Sequence, residues 1–115
     1  MMGLGQLGGS LLTGGMMLFS SREFKDVGEE LKDDAITMVE DVPAHVWRYR
    51  ENIVDEWIAE GEEHPIHVGP MAEDFSGVTG IGDGVTIPVT DMVGILWAAV
   101  GALSKRVREL EEKSA

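Results

Sequence analysis

The cleanest pattern of apolar and polar positions lies near the end of the chain. Val93, Leu96, Val100, Leu103, Val107 and Leu110 step by three and four residues. That spacing puts them on one face of a helix, with every a position Val and every d position Leu, the seam pattern of a coiled coil. Thr90 is a good N-cap and Asp91 suits a first turn, so the pattern predicts a helix over about 91–113. In a parallel bundle Arg106 falls at g and Glu111 at the following e of a neighbour, a complementary pair. Fewer than three heptads cannot hold a coiled coil unaided, and an amphipathic helix on its own core would show the same pattern. Val at a with Leu at d favours dimers in isolated zippers, so a trimer requires the body of the domain to override that preference. Ile95 and Trp97 lie off the seam and are expected to pack against the body.

Upstream the periods are shorter. Asp33 or Asp34 can cap a helix through Ala35, Ile36, Val39 and Asp41, which Pro43 ends. Val46 to Arg50 alternates, with Trp47 and Tyr49 on one face, and reads as a strand. Residues 51–64 carry Ile53, Val54, Trp57 and Ile58 at helical spacing, which predicts a short amphipathic helix. Ile66 to Gly69 reads as a second strand and Met71 to Phe75 as a helical turn after Pro70. Gly77 to Gly84 reads as a loop with a turn at Asp83-Gly84, and Val85 to Val89 as an edge strand containing Pro88. The expected fold class is α+β: a small mixed domain of short strands and helices closed by a long C-terminal helix.

At 115 residues the chain has the size of one small domain, whose limited core makes oligomerisation a natural way to gain burial. It has no cysteine, which removes disulfides and thiolate chemistry. Net charge is −12, and no Lys or Arg occurs between Arg50 and Lys105. Nucleic acid and anionic membrane demand clustered cations, so neither is expected as a partner. Residues 1–19 are apolar and Gly-rich, but lack the cationic start of a signal peptide and are broken by Gly pairs. Met92 to Leu103 is too short to span a bilayer, so a soluble chain is expected.

Several motifs carry little chemistry. Gly3-Leu4-Gly5-Gln6-Leu7-Gly8 fits a dinucleotide-binding expression, but no strand precedes it. His64 and His67 flank Pro65 among carboxylates without a third ligand at matching spacing, so neither a metal nor any cofactor is expected. Glu73 and Asp74 are paired carboxylates in what reads as a solvated turn. Ser20 and Lys25 are the more interesting pair. A serine hydroxyl attacks a carbonyl once a base takes its proton, and lysine serves as that base when burial favours its neutral form. Residues five apart differ by about 140° on a helix and point to opposite sides of a strand. The two therefore meet only across a bend, or between subunits, whereas Ser21 and Lys25 would meet on a helix with no function implied.

Five segments in order resemble the self-cleaving intramolecular chaperone domains that end phage tail fibres, tail spikes and endosialidases. Ser20-Ser21-Arg22-Glu23-Phe24-Lys25 resembles the family's Ser-Asp-x-x-apolar-Lys start, with Ser21 in place of the acidic residue. Trp47-Arg48-Tyr49-Arg50 is similar to its aromatic strand. Val68-Gly69-Pro70-Met71-Ala72-Glu73-Asp74 is similar to its Ile-Gly-Phe-Ile-Ala-Gln/Glu-Glu/Asp segment, with Pro70 in place of the aromatic. Thr86 to Val93 and Ala102 to Glu111 resemble the edge strand and the closing helix. The likeness covers about residues 20–113.

The resemblance implies a leader or passenger end over 1–19 and a chaperone domain over 20–115. It implies a homotrimer joined by a parallel coiled coil, with the Phe19–Ser20 bond cut, Ser20 the nucleophile and Lys25 the general base. Ser21 would be a competing nucleophile, and His67 and Glu73 are candidate auxiliary groups. The implied role is to register three fibre or spike chains, assist folding of the upstream passenger and then leave by autoproteolysis, during virion assembly in the host cytoplasm. With 19 residues ahead of Ser20, a separately encoded or trimmed module, or a remnant, is expected. The competing expectations are a non-cleaving oligomerisation module at a fibre end and a small acidic binding adaptor.

Overall fold

The computed structural model describes residues 20–53 and 63–115. The chain divides into two units, Met1–Glu30 and Leu31–Ala115. In the first, the described part holds a single 3-10 turn, Arg22–Phe24. The second holds α1 (Asp33–Asp41), β1 (Ala44–Trp47), β2 (His67–Pro70), α2 (Ala72–Thr79) and α3 (Val89–Ser114), a small mixed α+β arrangement.

Helix α1 starts with two acidic residues, Asp33 and Asp34, where the positive end of the helix dipole favours them. Neither is the N-cap; Lys32 holds that position without a side-chain bond. The helix buries Ala35 and Ile36, and stops because Pro43 drives Val42 into an extended conformation. Strands β1 and β2 pair antiparallel with Ala44 opposite Pro70 and Trp47 opposite His67. The first strand thus lies earlier than the alternation at 46–50 predicts. The body of the helix expected over 51–64 lies outside the described residues.

Helix α2 is longer than the expected turn. It runs on through Gly77 to Thr79 and ends at Gly80, whose φ of 72° is the left-handed conformation that closes helices and suits glycine. Phe75 from α2 completes the core with Ile36, Ala35, Ile95 and Ala99, and Leu31, Met38, Val42 and Met92 pack around it. Among the described residues the buried core is these five side chains.

The segment Val85–Val89 is not a strand. Asp83 Oδ1 accepts the backbone N–H groups of Val85 at 2.8 Å and Thr86 at 2.7 Å, bending the chain locally. Gly82, with φ 91°, lies beneath the Pro88 ring, where an added Cβ would stand 3.2 Å from Pro88 Cδ. Helix α3 then begins at Val89 with Pro88 as its N-cap, so Thr90 lies inside the first turn rather than before it.

Helix α3 lies against α1. Its buried residues are Ile95 and Ala99, with Met92 and Ala102 partly buried on the same stripe and Arg106 3.4 Å from Asp33 at the far end. Trp97 does not join them: it is 81% exposed, because it projects from the opposite side of the helix. No helix among the described residues is long and apolar enough to cross a membrane.

Candidate functional site

The turn at Arg22–Phe24 supplies the bend that Ser20 and Lys25 need. The chain enters it extended at Ser21 and leaves it extended at Lys25, after backbone bonds from Phe24 N–H to the Ser21 carbonyl and from Lys25 N–H to the Arg22 carbonyl. One tight turn between two extended residues brings back the side chain that a helix or a straight strand would carry away. Lys25 Nζ donates to Ser20 Oγ at 2.7 Å. Ser21 plays a different part, since its Oγ accepts the Glu23 N–H at 3.2 Å and caps the turn. The two serines are thus distinct, one bonded to an amine and one to the backbone.

Both Ser20 and Lys25 are exposed in the single chain. The hydrogen bond sets the separation that proton transfer requires, and water exclusion has to come from elsewhere. Phe19, the other half of the implied scissile bond, lies outside the described residues.

The remaining candidates fall in the second unit. His67 stacks on Trp47 with ring centroids 4.6 Å apart, and Tyr49 meets the Trp47 ring edge-on at 5.0 Å. Strand register explains this cluster, since Trp47 and His67 are directly opposed across the β1–β2 pair. The Trp47 Nε1 and His64 Nδ1 atoms are buried without hydrogen-bond partners among the described residues. Glu73 lies in the first turn of α2 beside Asp74 and is exposed. Among the described residues no three His, Asp or Glu side chains gather as metal ligands.

The six seam residues, Val93, Leu96, Val100, Leu103, Val107 and Leu110, are between 43% and 65% exposed. They form an apolar stripe along α3, adjacent to the stripe that α1 covers. Beside Leu96 opens an apolar cavity of about 260 Å³ between α1, α2 and α3, whose walls include Met38, Val42, Phe75 and Met92. Sequence patterning does not reveal it, since it depends on how three helices meet. No family model matches the chain, and no curated protein or solved structure matches it.

Proposed function

We propose that the chain is a homotrimeric intramolecular chaperone that registers an upstream fibre or spike passenger and releases itself by cleavage before Ser20. The observation that carries this reading is the 2.7 Å contact between Lys25 Nζ and Ser20 Oγ across a capped turn. The uncovered Val/Leu stripe supports the self-association half of it. So does the two-stranded sheet, with Val46 and Val68 paired and both mostly exposed, because a two-stranded sheet is marginal on its own.

In the proposed reaction the neutral Lys25 amine takes the Ser20 hydroxyl proton as Oγ attacks the Phe19 carbonyl carbon. The tetrahedral intermediate collapses with its C–N bond broken, and the proton passes to the departing Ser20 amine. The resulting ester between Phe19 and Ser20 Oγ is hydrolysed by water, leaving a Phe19 carboxylate and a fragment beginning at Ser20. Gathering three chains would remove water from the Lys25 amine, which ties the cut to assembly. Loss of the registering element would then leave the passenger kinetically locked.

The exposure of both side chains favours a second reading, an oligomerisation module that does not cut itself. Intact-mass measurement on the assembled protein separates the two. The expected result is a fragment starting at Ser20, absent in Ser20→Ala and in Lys25→Met and present in Ser21→Ala. An assembled chain that stays whole overturns the cleavage reading and leaves the module.

A further inference from the structure

We propose that the apolar cavity between α1, α2 and α3 is the socket for Trp97 of a second copy of this chain, an interlock between neighbouring protomers. The proposal rests on the reading of the Val/Leu stripe as a self-association seam, and adds to it the contact that fixes how neighbours are oriented.

Angular positions on α3 set the geometry. At about 100° per residue, Met92, Ile95, Ala99 and Ala102 lie on one flank of the seam, and Trp97 lies on the other. The first flank carries the body of the protomer, through Ile95 and Ala99 buried against α1. The second carries an indole that is 81% exposed. In a parallel bundle about this seam, the e flank of each helix meets the g flank of the next. Met92 is at g and the partner's Trp97 at the following e; Arg106, at g two heptads on, stays on the body side in its pair with Asp33. Met92 and Leu96 are walls of the cavity, so the register leads the partner's Trp97 to its mouth.

Chemistry and size agree with that occupant. The walls are apolar apart from Thr79, whose hydroxyl already donates to the Phe75 carbonyl. At about 260 Å³ the cavity is below the roughly 300–1,000 Å³ of small-molecule sites and suits one aromatic side chain. Large aromatic anchors seated in desolvated pockets are the residues that dominate association energies. Each protomer offers one tryptophan and one socket on opposite flanks, so the contact is head-to-tail and closes as a ring around the seam.

The test uses the full chain carrying Trp47→Phe and Trp57→Phe, so that Trp97 alone emits. On assembly its emission should move to the blue and its quenching by acrylamide should fall severalfold. In the otherwise unchanged chain, Trp97→Ala should raise the dissociation concentration about ten- to a hundredfold with helix content kept. Should the double Phe background fail to fold, the chain's lack of cysteine allows a second measurement. Gly101→Cys protein, which keeps Trp97 one turn away, mixed with Val39→Cys protein should be joined by a short bismaleimide, since Val39 lies in the cavity wall. An assembled protein whose Trp97 stays open to quencher, or that yields no mixed cross-link, overturns the socket and leaves the seam standing. A chain that remains monomeric at tens of micromolar overturns both.

Discussion

Helix α3 carries two apolar stripes with the same heptad spacing, and they meet different fates within one chain. The stripe Met92, Ile95, Ala99, Ala102 is covered by α1 and contains the buried Ile95 and Ala99. The stripe one residue further on, Val93 to Leu110, is uncovered along its whole length. The covered stripe mixes two large residues, Met92 and Ile95, with two alanines, Ala99 and Ala102. The uncovered stripe alternates Val and Leu, the shapes that interdigitate between equivalent helices. Periodicity alone therefore announces an apolar face without saying what covers it.

Two substitutions five residues apart should affect the stripes in opposite ways. Ile95→Ala removes a large side chain from the core around Phe75, and should cost about 2–5 kcal/mol by chemical denaturation. Small domains have about 5–15 kcal/mol of stability in all, so a large share of it should be lost. Val100→Asp should leave the protomer intact. It lies on the uncovered stripe, 65% exposed in the single chain, so circular dichroism should show a folded protein. Light scattering should show the dissociation concentration raised at least about a hundredfold, since assembly would now desolvate a carboxylate in every protomer. Equal losses of protomer stability in the two variants would mean that the stripes are not distinct and that the seam is part of the core.

How much of this is readable in the sequence depends on whether local or distant groups decide each element. Helix α1 and most of α3 are legible, because Pro43 and a strong apolar period act within a few residues. The heptad stripe is legible as a stripe. Two strands are legible too, but alternation places β1 two residues late, because register is set by the partner strand and Trp47 opposes His67 only once β2 is in place. Val85 to Val89 has strand-forming residues, yet the Asp83 carboxylate takes the Val85 and Thr86 amides, and a local side-chain bond defeats β-propensity. Gly77 and Gly80 both read as loop residues, although only Gly80 takes the left-handed conformation. Trp97 reads as a core residue by its chemistry; its angle on the helix is what exposes it. At the candidate site, the requirement for a bend between Ser20 and Lys25 is readable, while the 3-10 turn that makes it depends on Ser21 acting as a cap.

The smallest expected effect concerns the turn that delivers α3, and with it both stripes, to the body. Asp83 is exposed, and the Thr86 backbone N–H, followed by that of Val85 and with help from the Thr86 hydroxyl, holds its carboxyl below the usual aspartate value of 3.8 despite an opposing contribution from desolvation. A carboxylate whose pKa is lower folded than unfolded adds stability that is fully present above the unfolded value and disappears as pH falls through the folded one. Asp83→Asn keeps an oxygen acceptor for the two amides but removes the charge that strengthens those bonds. The measurement belongs in a Val100→Asp background, which takes assembly out of it. There the chain that keeps Asp83 should be slightly more stable at neutral pH than the chain that also carries Asp83→Asn. The difference in melting temperature should shrink below about pH 4 and vanish once Asp83 is protonated. A difference that stays constant down to about pH 2 would show that the turn holds by geometry alone, and that the grip of α1 on the covered stripe owes nothing to the charge in the turn before α3.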